Sequence, residues 1–153
     1  MSACQTLTLD RLTVLLVDDS RPVRTVIRTL LTGLGFGRVF EAADGQEALV
    51  MTRTCRPDLC LIDYDLGLET GLDLARRLSD PRQCDRAGLP LFLLAADGFG
   101  HLVRDAAAAG ITAVLPKPVS PGTLMAGLAR CQVTPSAIFP TLTRAPDRCA
   151  SRS

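Results

Sequence analysis

The sequence predicts an α/β domain, a doubly wound five-stranded parallel sheet with helices on both faces. Short apolar runs that do not alternate with polar residues are typical of strands buried on both faces. Stretches with helical spacing lie between these runs, so the element order is βαβαβαβαβα. This alternation indicates a parallel sheet with right-handed crossovers. The length of 153 residues, 47% of them hydrophobic, suits one compact domain.

Five apolar runs supply the predicted strands. Four of them are strongly apolar, and the second run in the chain is weaker. In chain order, the predicted strands are Val14–Val17, Arg38–Glu41, Leu59–Ile62, Leu91–Ala96 and Ala113–Leu115.

The stretches between and after the strands predict five helices. Ser20 is the expected N-cap of the first helix, which has Pro22 in its first turn and is expected to end at Gly33. In chain order, the other predicted helices are Gly45–Cys55, Leu72–Leu78, His101–Ala109 and Gly122–Arg130, and a long surface loop is predicted over Asp80–Pro90.

The domain is expected to cover residues 12–132, between an N-terminal extension at 1–11 and a flexible tail at 133–153. The N-terminus has no signal-peptide pattern, and no apolar run reaches the roughly 18 residues of a membrane span. We therefore expect a cytoplasmic protein without membrane insertion. The 21 residues of the tail are too few for an output domain, so direct DNA binding is not expected.

Charge and composition point away from nucleic-acid binding. The chain has 17 basic and 16 acidic residues, which gives a net charge of +1 and no overall attraction to phosphate backbones. It has no Trp and one Tyr, so an aromatic stacking platform is not expected. Sixteen of the basic residues are Arg, and the single lysine is Lys117.

Acidic residues and this lone lysine follow three of the predicted strands. Asp18 and Asp19 follow the first strand, Asp63 follows the third, and Lys117 follows the fifth. Ligands of open α/β sheets bind outside the carboxyl ends of the strands, where these side chains meet. Clustered carboxylates repel one another, and Mg²⁺ removes that repulsion. An aspartate beside a metal and a lysine suits phosphoryl transfer.

Four motifs between residues 12 and 131 resemble those of bacterial response-regulator receiver domains, the CheY-like fold of two-component signalling. The motifs are VLLVDDS, EAADGQEAL, PDLCLIDYDLGLETG and LPKP. The resemblance implies the flavodoxin-like strand order 2-1-3-4-5. It also implies a Lys117–Pro118 bond that is often cis.

The resemblance further implies the role of each site residue. Asp63 would accept the phosphoryl group. Asp18, Asp19 and Asp63 would hold Mg²⁺, together with the backbone carbonyl of Asp65. Lys117 would pair with Asp63 and then with the phosphoryl group.

Two departures from the family pattern bear on the response to phosphorylation. Most receivers have Ser or Thr followed by Ala at the end of the fourth strand, where this chain has Ala95 and Ala96. Ala96 keeps the small residue that gives access to the site, but Ala95 removes a hydroxyl donor. A hydrogen bond to a charged group contributes about 1.5–3 kcal/mol. Val114 stands where many receivers have Tyr or Phe, so the usual aromatic readout is absent.

The sequence thus predicts a single-domain response regulator that receives its phosphoryl group from a histidine kinase or phosphotransfer protein and binds an unidentified downstream protein. Its only enzymatic chemistry would be its own phosphorylation and dephosphorylation. Ala95 and Val114 leave open a phosphorylation-independent binding module. An effector that holds a small anionic ligand through arginines is a further alternative. Hydrolases of the haloacid-dehalogenase type also use Asp and Lys, but they usually show D-x-D, whereas Asp18 and Asp19 are adjacent.

Overall fold

Five parallel strands form one sheet in the computed structural model, which describes residues 9–84, 88–96 and 99–130. The order is β2-β1-β3-β4-β5, which confirms the predicted architecture. The strands are β1 (Thr13–Val17), β2 (Arg38–Ala42), β3 (Leu59–Asp63), β4 (Leu91–Ala95) and β5 (Ala113–Pro116).

Five α-helices connect and follow the strands. They are α1 (Arg21–Leu34), α2 (Gly45–Cys55), α3 (Gly71–Leu78), α4 (Val103–Ala108) and α5 (Pro121–Arg130). Two short 3₁₀-helices, Leu9–Arg11 and Phe99–Leu102, precede β1 and α4. Among the described residues, no helix combines the length and apolarity that a membrane crossing requires.

The prediction that the first helix ends at Gly33 is wrong. Gly33 lies inside α1, which ends at Leu34. The C-cap is Gly35, which has a φ of 105° and donates its N–H to the carbonyls of Leu31 and Thr32. The left-handed cap needs glycine at the later position, because a Cβ strongly disfavours that φ. The start was predicted correctly, since the Ser20 side chain accepts from the Val23 N–H.

The predicted fourth helix is also shorter than expected. His101 belongs to the 3₁₀-helix, and the α-helical turns begin at Val103. The residue before Val103 is Leu102, which makes no side-chain capping bond. Without an N-cap side chain, the first amide N–H groups of a helix can be satisfied by the tighter hydrogen bonds of a 3₁₀ turn.

The hydrophobic core lies on both faces of the sheet. Alternate strand residues such as Leu15 and Leu93 pack on one side with α2, α3 and α4. Their neighbours, such as Leu16 and Leu94, pack on the other side with α1 and α5. Every residue of β3 and β4 is buried, which is why these strands show no polar alternation.

The segments outside the sheet and helices are only partly described. Leu9 is buried, and its carbonyl accepts from the Gly37 N–H at 3.0 Å. The expected tail at 133–153 and residues 1–8 lie outside the described residues. Within Asp80–Pro90, residues 80–84 and 88–90 form neither helix nor strand. Cys84 and Leu89 of this segment are nevertheless buried.

Candidate functional site

The register of the sheet brings three aspartates together. Val17 pairs with Ile62, so the residues that follow β1 lie beside Asp63 at the end of β3. The Asp18 N–H still donates to the Ala42 carbonyl of β2 at 3.1 Å, which extends the strand ladder by one bond. Asp18, Asp19 and Asp63 each offer a carboxylate oxygen, and these oxygens lie within 4.8 Å of one another.

Asp18 is the most buried of these carboxylates, with 1% of its surface exposed. Its Oδ1 accepts from the Ser20 N–H at 2.8 Å. Its Oδ2 is buried, and among the described residues it has no hydrogen-bond partner. Burial raises the pKa of Asp18 against the opposing effect of the Ser20 bond, and the charge of Asp63 raises it further.

Lys117 reaches Asp63 from the other side of the site. The Lys117 N–H donates to the Ala95 carbonyl at 2.9 Å, so the lysine leaves β5 at the same edge of the sheet. Its Nζ donates to Asp63 Oδ1 at 2.7 Å. The Lys117–Pro118 peptide bond is cis.

Burial and pairing oppose each other in the titration of Asp63 and Lys117. Burial raises the pKa of Asp63, and the hydrogen bond from Lys117 offsets only part of this increase. Burial alone would lower the pKa of Lys117, but its bond to Asp63 and the nearby carboxylates outweigh burial and raise this pKa. Lys117 is therefore held as a cation, whereas the buried carboxylates repel one another.

The donor set fits a hard divalent cation. Three clustered carboxylates face one ammonium group, and no donor from the described part of the chain reaches the buried Oδ2 of Asp18. Mg²⁺ accepts carboxylate oxygens and keeps part of its water shell, so two buried aspartates and one exposed aspartate suit it. A cation there would satisfy the unpartnered oxygen and relieve the carboxylate repulsion.

The loop between β3 and α3 is ordered by its own polar groups. The Asp65 side chain accepts from the Gly67 N–H at 3.0 Å. Thr70 caps α3 in a reciprocal box with Asp73. The Gly71 N–H donates to the Tyr64 carbonyl at 2.6 Å. These bonds set the path of the backbone that carries Asp65 beside the acidic cluster.

The two departures from the family pattern lie at or near the site. Ala95 is 2% exposed at the end of β4, and Ala96 is exposed beside it. Ala95 has no side-chain donor to offer there. Val114 is partly buried and packs against the core on the α2–α3–α4 side of the sheet.

Sequence reasoning missed two ion pairs that support the site. Arg24 donates to the Asp18 carbonyl at 2.6 Å and to Glu41 at 2.9 Å. Arg77 donates to both oxygens of Glu69, at 2.6 and 2.7 Å, in the loop before α3. No pattern distinguishes these arginines from the others, because their partners are brought close only by sheet pairing and by the folding of the loop.

Comparison with known proteins places this arrangement in a family. Residues 14–129 match the family model described as the response regulator receiver domain. The chain is 30% identical over 111 residues to chemotaxis protein CheY-3 of Vibrio cholerae, a match that covers 72% of this chain and 84% of that protein. It is 32% identical over 105 residues to chemotaxis protein CheY of Pseudomonas aeruginosa, covering 69% and 83% respectively.

A solved structure shows the same fold. The chain superimposes on the chemotaxis response regulator CheY4 of Vibrio cholerae with a TM-score of 0.67 and 29% identity, over 82% of this chain and 99% of that one. Sequence match, strand order and fold agree. The chain belongs to the receiver domain family of response regulators, the proteins of two-component signalling.

Proposed function

We propose that this receiver acts as a single-domain response regulator. It accepts a phosphoryl group on Asp63 from a histidine kinase or phosphotransfer protein, with Mg²⁺ as the cofactor, and signals by binding a downstream protein without direct contact to DNA. The observation that carries the proposal is the Asp63–Lys117 pair at 2.7 Å within a cluster of three carboxylates.

The proposed transfer uses the carboxylate of Asp63 as the nucleophile. A bond forms between an Asp63 oxygen and phosphorus as the bond from phosphorus to the donor histidine nitrogen breaks. Lys117 moves from Asp63 to the phosphoryl oxygens and neutralises charge there. Catalysis of this kind rests mostly on positioning and charge neutralisation.

Asp18, Asp19, Asp63 and the Asp65 backbone carbonyl would hold the cation. When bound, Mg²⁺ neutralises the carboxylates and the phosphoryl oxygens. Asp18 supports this role, because its buried Oδ2 lacks any other partner among the described residues. Ser20 holds the other oxygen of Asp18 and so orients the carboxylate.

Intact mass spectrometry tests the acceptor. A small phosphodonor with Mg²⁺ is expected to add one phosphate to the wild type and none to Asp63→Asn. Asp105→Asn is the matched control, because Asp105 is an exposed carboxylate on α4 and lies outside the acidic cluster, so this variant is expected to be labelled like the wild type. Labelling of Asp63→Asn at the wild-type rate would contradict the acceptor assignment.

A phosphorylation-independent binding module is the second candidate function. It is favoured by Ala95, which offers no hydroxyl, and by Val114, a partly buried residue that packs against the core where an aromatic readout residue is usual. A partner captured equally by beryllofluoride-loaded wild type and by Asp63→Asn would support this module. Capture that requires beryllofluoride and an intact Asp63 would support the phosphorylation-controlled regulator instead.

The small-ligand alternative has less support. Among the described residues, five arginines already pair with carboxylates: Arg24, Arg28, Arg76, Arg77 and Arg82. Absence of heat when a cyclic dinucleotide is titrated into the protein would exclude that ligand.

A further inference from the structure

We propose that Arg24 is a positioning residue of the acidic site. It fixes the turn between β1 and α1, and this turn presents Asp18 and Asp19 to a divalent cation. The inference rests on the metal site of the proposed function and identifies a residue outside the carboxylate cluster on which that site depends.

The guanidinium of Arg24 joins two parts of the fold. Its Nη1 donates to the Asp18 carbonyl oxygen at 2.6 Å, and its Nε donates to Glu41 Oε1 at 2.9 Å. The Arg24 side chain is only 14% exposed, so water competes weakly for the groups that form these two hydrogen bonds. The Arg24 N–H also donates to the Ser20 carbonyl at 3.0 Å. The first turn of α1 thus reaches back to Asp18, the residue that follows β1.

Glu41 anchors this contact to the sheet. It lies in β2, where it pairs with Leu16 of β1. Its second oxygen accepts from Arg28 Nη1 at 2.7 Å, but the Arg28 side chain is 50% exposed. Arg24 therefore bonds both Glu41 in the sheet and Asp18 in the site, whereas Arg28 bonds Glu41 but not Asp18. The two arginines form a matched pair for comparison.

Asp18 is held at three points. Its N–H donates to the Ala42 carbonyl, its carbonyl accepts from Arg24, and its Oδ1 accepts from the Ser20 N–H. The remaining oxygen, Oδ2, is the one without a partner among the described residues. The three bonds fix the direction of the carboxylate before any cation arrives. Partners that orient metal ligands typically change metal affinity by about 10–100-fold when they are removed.

The sign of the effect separates positioning from simple electrostatics. Arg24 carries a positive charge close to the carboxylates. Its removal should strengthen cation binding if charge alone matters, because a repulsive charge is lost. Its removal should weaken binding if Arg24 orients Asp18. Loss of affinity in Arg24→Gln is therefore evidence of a positioning role.

Calorimetric titration of Mg²⁺ into the phosphate-free protein tests the inference. Arg24→Gln is expected to bind Mg²⁺ about 10-fold more weakly than the wild type. Arg28→Gln removes an equal charge and the exposed Glu41 pair, and its affinity is expected to stay within about twofold of wild type. Mg²⁺ binding by Arg24→Gln as tight as or tighter than wild type would overturn the inference, as would an equal loss in Arg28→Gln.

A second variant keeps the test valid if Arg24→Gln does not fold, which circular dichroism and thermal unfolding without Mg²⁺ would show. Arg24→Lys keeps the charge but lacks the fork that bonds Asp18 and Glu41 together, so its Mg²⁺ affinity is expected to fall as well. A Mg²⁺ affinity of Arg24→Lys equal to that of the wild type would show that the paired bonds of the guanidinium are not required. A wild type that binds no Mg²⁺ would overturn the metal site and this inference together, whereas unchanged binding in the variants overturns only the role of Arg24.

Discussion

Asp18→Asn is expected to stabilise the protein when divalent cations are removed and to remove most of its stabilisation by Mg²⁺. Asp18 is 1% exposed, and its Oδ2 has no hydrogen-bond partner among the described residues. Its charge is also close to those of Asp19 and Asp63. Asparagine removes the buried charge, keeps an oxygen for the Ser20 N–H, and supplies an amide donor toward neighbouring carboxylates.

The magnitude follows from the cost of the unpaired group. A buried polar group without a partner costs about 1–3 kcal/mol, and the variant recovers part of this cost, about 1 kcal/mol. For a domain of this size the gain corresponds to about 3–5 °C in Tm. Mg²⁺ at ten times its Kd would stabilise the wild type by about 1.4 kcal/mol. When Mg²⁺ is added, the wild type is therefore expected to become as stable as Asp18→Asn or more stable.

The pH dependence has a definite sign. The folded pKa of Asp18 is raised, chiefly by burial, so the contribution of Asp18 to the stability of the wild type becomes more favourable as the pH falls and the carboxylate takes up a proton. The protonated carboxyl carries no buried charge. The advantage of Asp18→Asn in EDTA is therefore expected to shrink as the pH falls through the raised pKa of Asp18.

Chemical denaturation in EDTA and in Mg²⁺ measures both effects. Asp19→Asn is the matched control, because Asp19 is exposed and its replacement is expected to change stability in EDTA by only a few tenths of a kcal/mol. Both variants are expected to lose most of the Mg²⁺-dependent gain. An Asp18→Asn variant that is less stable than wild type in EDTA would refute the reasoning, since the carboxylate would then be stabilising without a cation.

Backbone packing, acid stability and the end of β4 each lead to a further prediction. Gly71→Ala is expected to cost about 1–3 kcal/mol in denaturation, because its methyl group would overlap the carbonyl at the end of β3. A Cβ at Gly33 would meet nothing within 4 Å, so Gly33→Ala should increase the free energy of unfolding by about 0.5–1 kcal/mol. An equal loss of stability in the two variants would contradict this contrast. The bonds from Arg28 and then Arg24 hold the pKa of Glu41 below its ordinary value. The stabilisation by this carboxylate is therefore fully present above the ordinary pKa and is lost as the pH falls through the lowered pKa. Glu41→Gln should therefore approach the stability of the wild type in acid. A difference in the free energy of unfolding that stays constant with pH would count against the ion pairs of Glu41 with Arg24 and Arg28. Ala95→Ser should tighten beryllofluoride binding in Mg²⁺ about 10-fold through a new hydrogen bond to a charged group, and an unchanged fluorine NMR titration would argue against it.

The strands were predictable because burial on both faces leaves a direct trace in the sequence. The run Leu59–Ile62 is continuous and apolar, and all of β3 is buried. Helix ends were less predictable. Gly33 and Gly35 look alike in sequence, and only the backbone shows that Gly35 adopts the left-handed φ of 105°. The fourth helix begins later than its periodicity predicts, since no side chain caps it.

The fold class and the edge of the sheet where the acidic residues meet follow from the sequence alone, because the carboxyl ends of parallel strands share one edge. How these groups are held depends on the folded arrangement of the chain. Lys117 and Asp63 are 54 residues apart, and Arg24 and Glu41 are 17 apart. Their contacts depend on strand register and on side-chain direction, which no single-sequence pattern specifies. The same packing decides that one oxygen of Asp18 is left without a partner among the described residues, and it is this oxygen that a cation would satisfy.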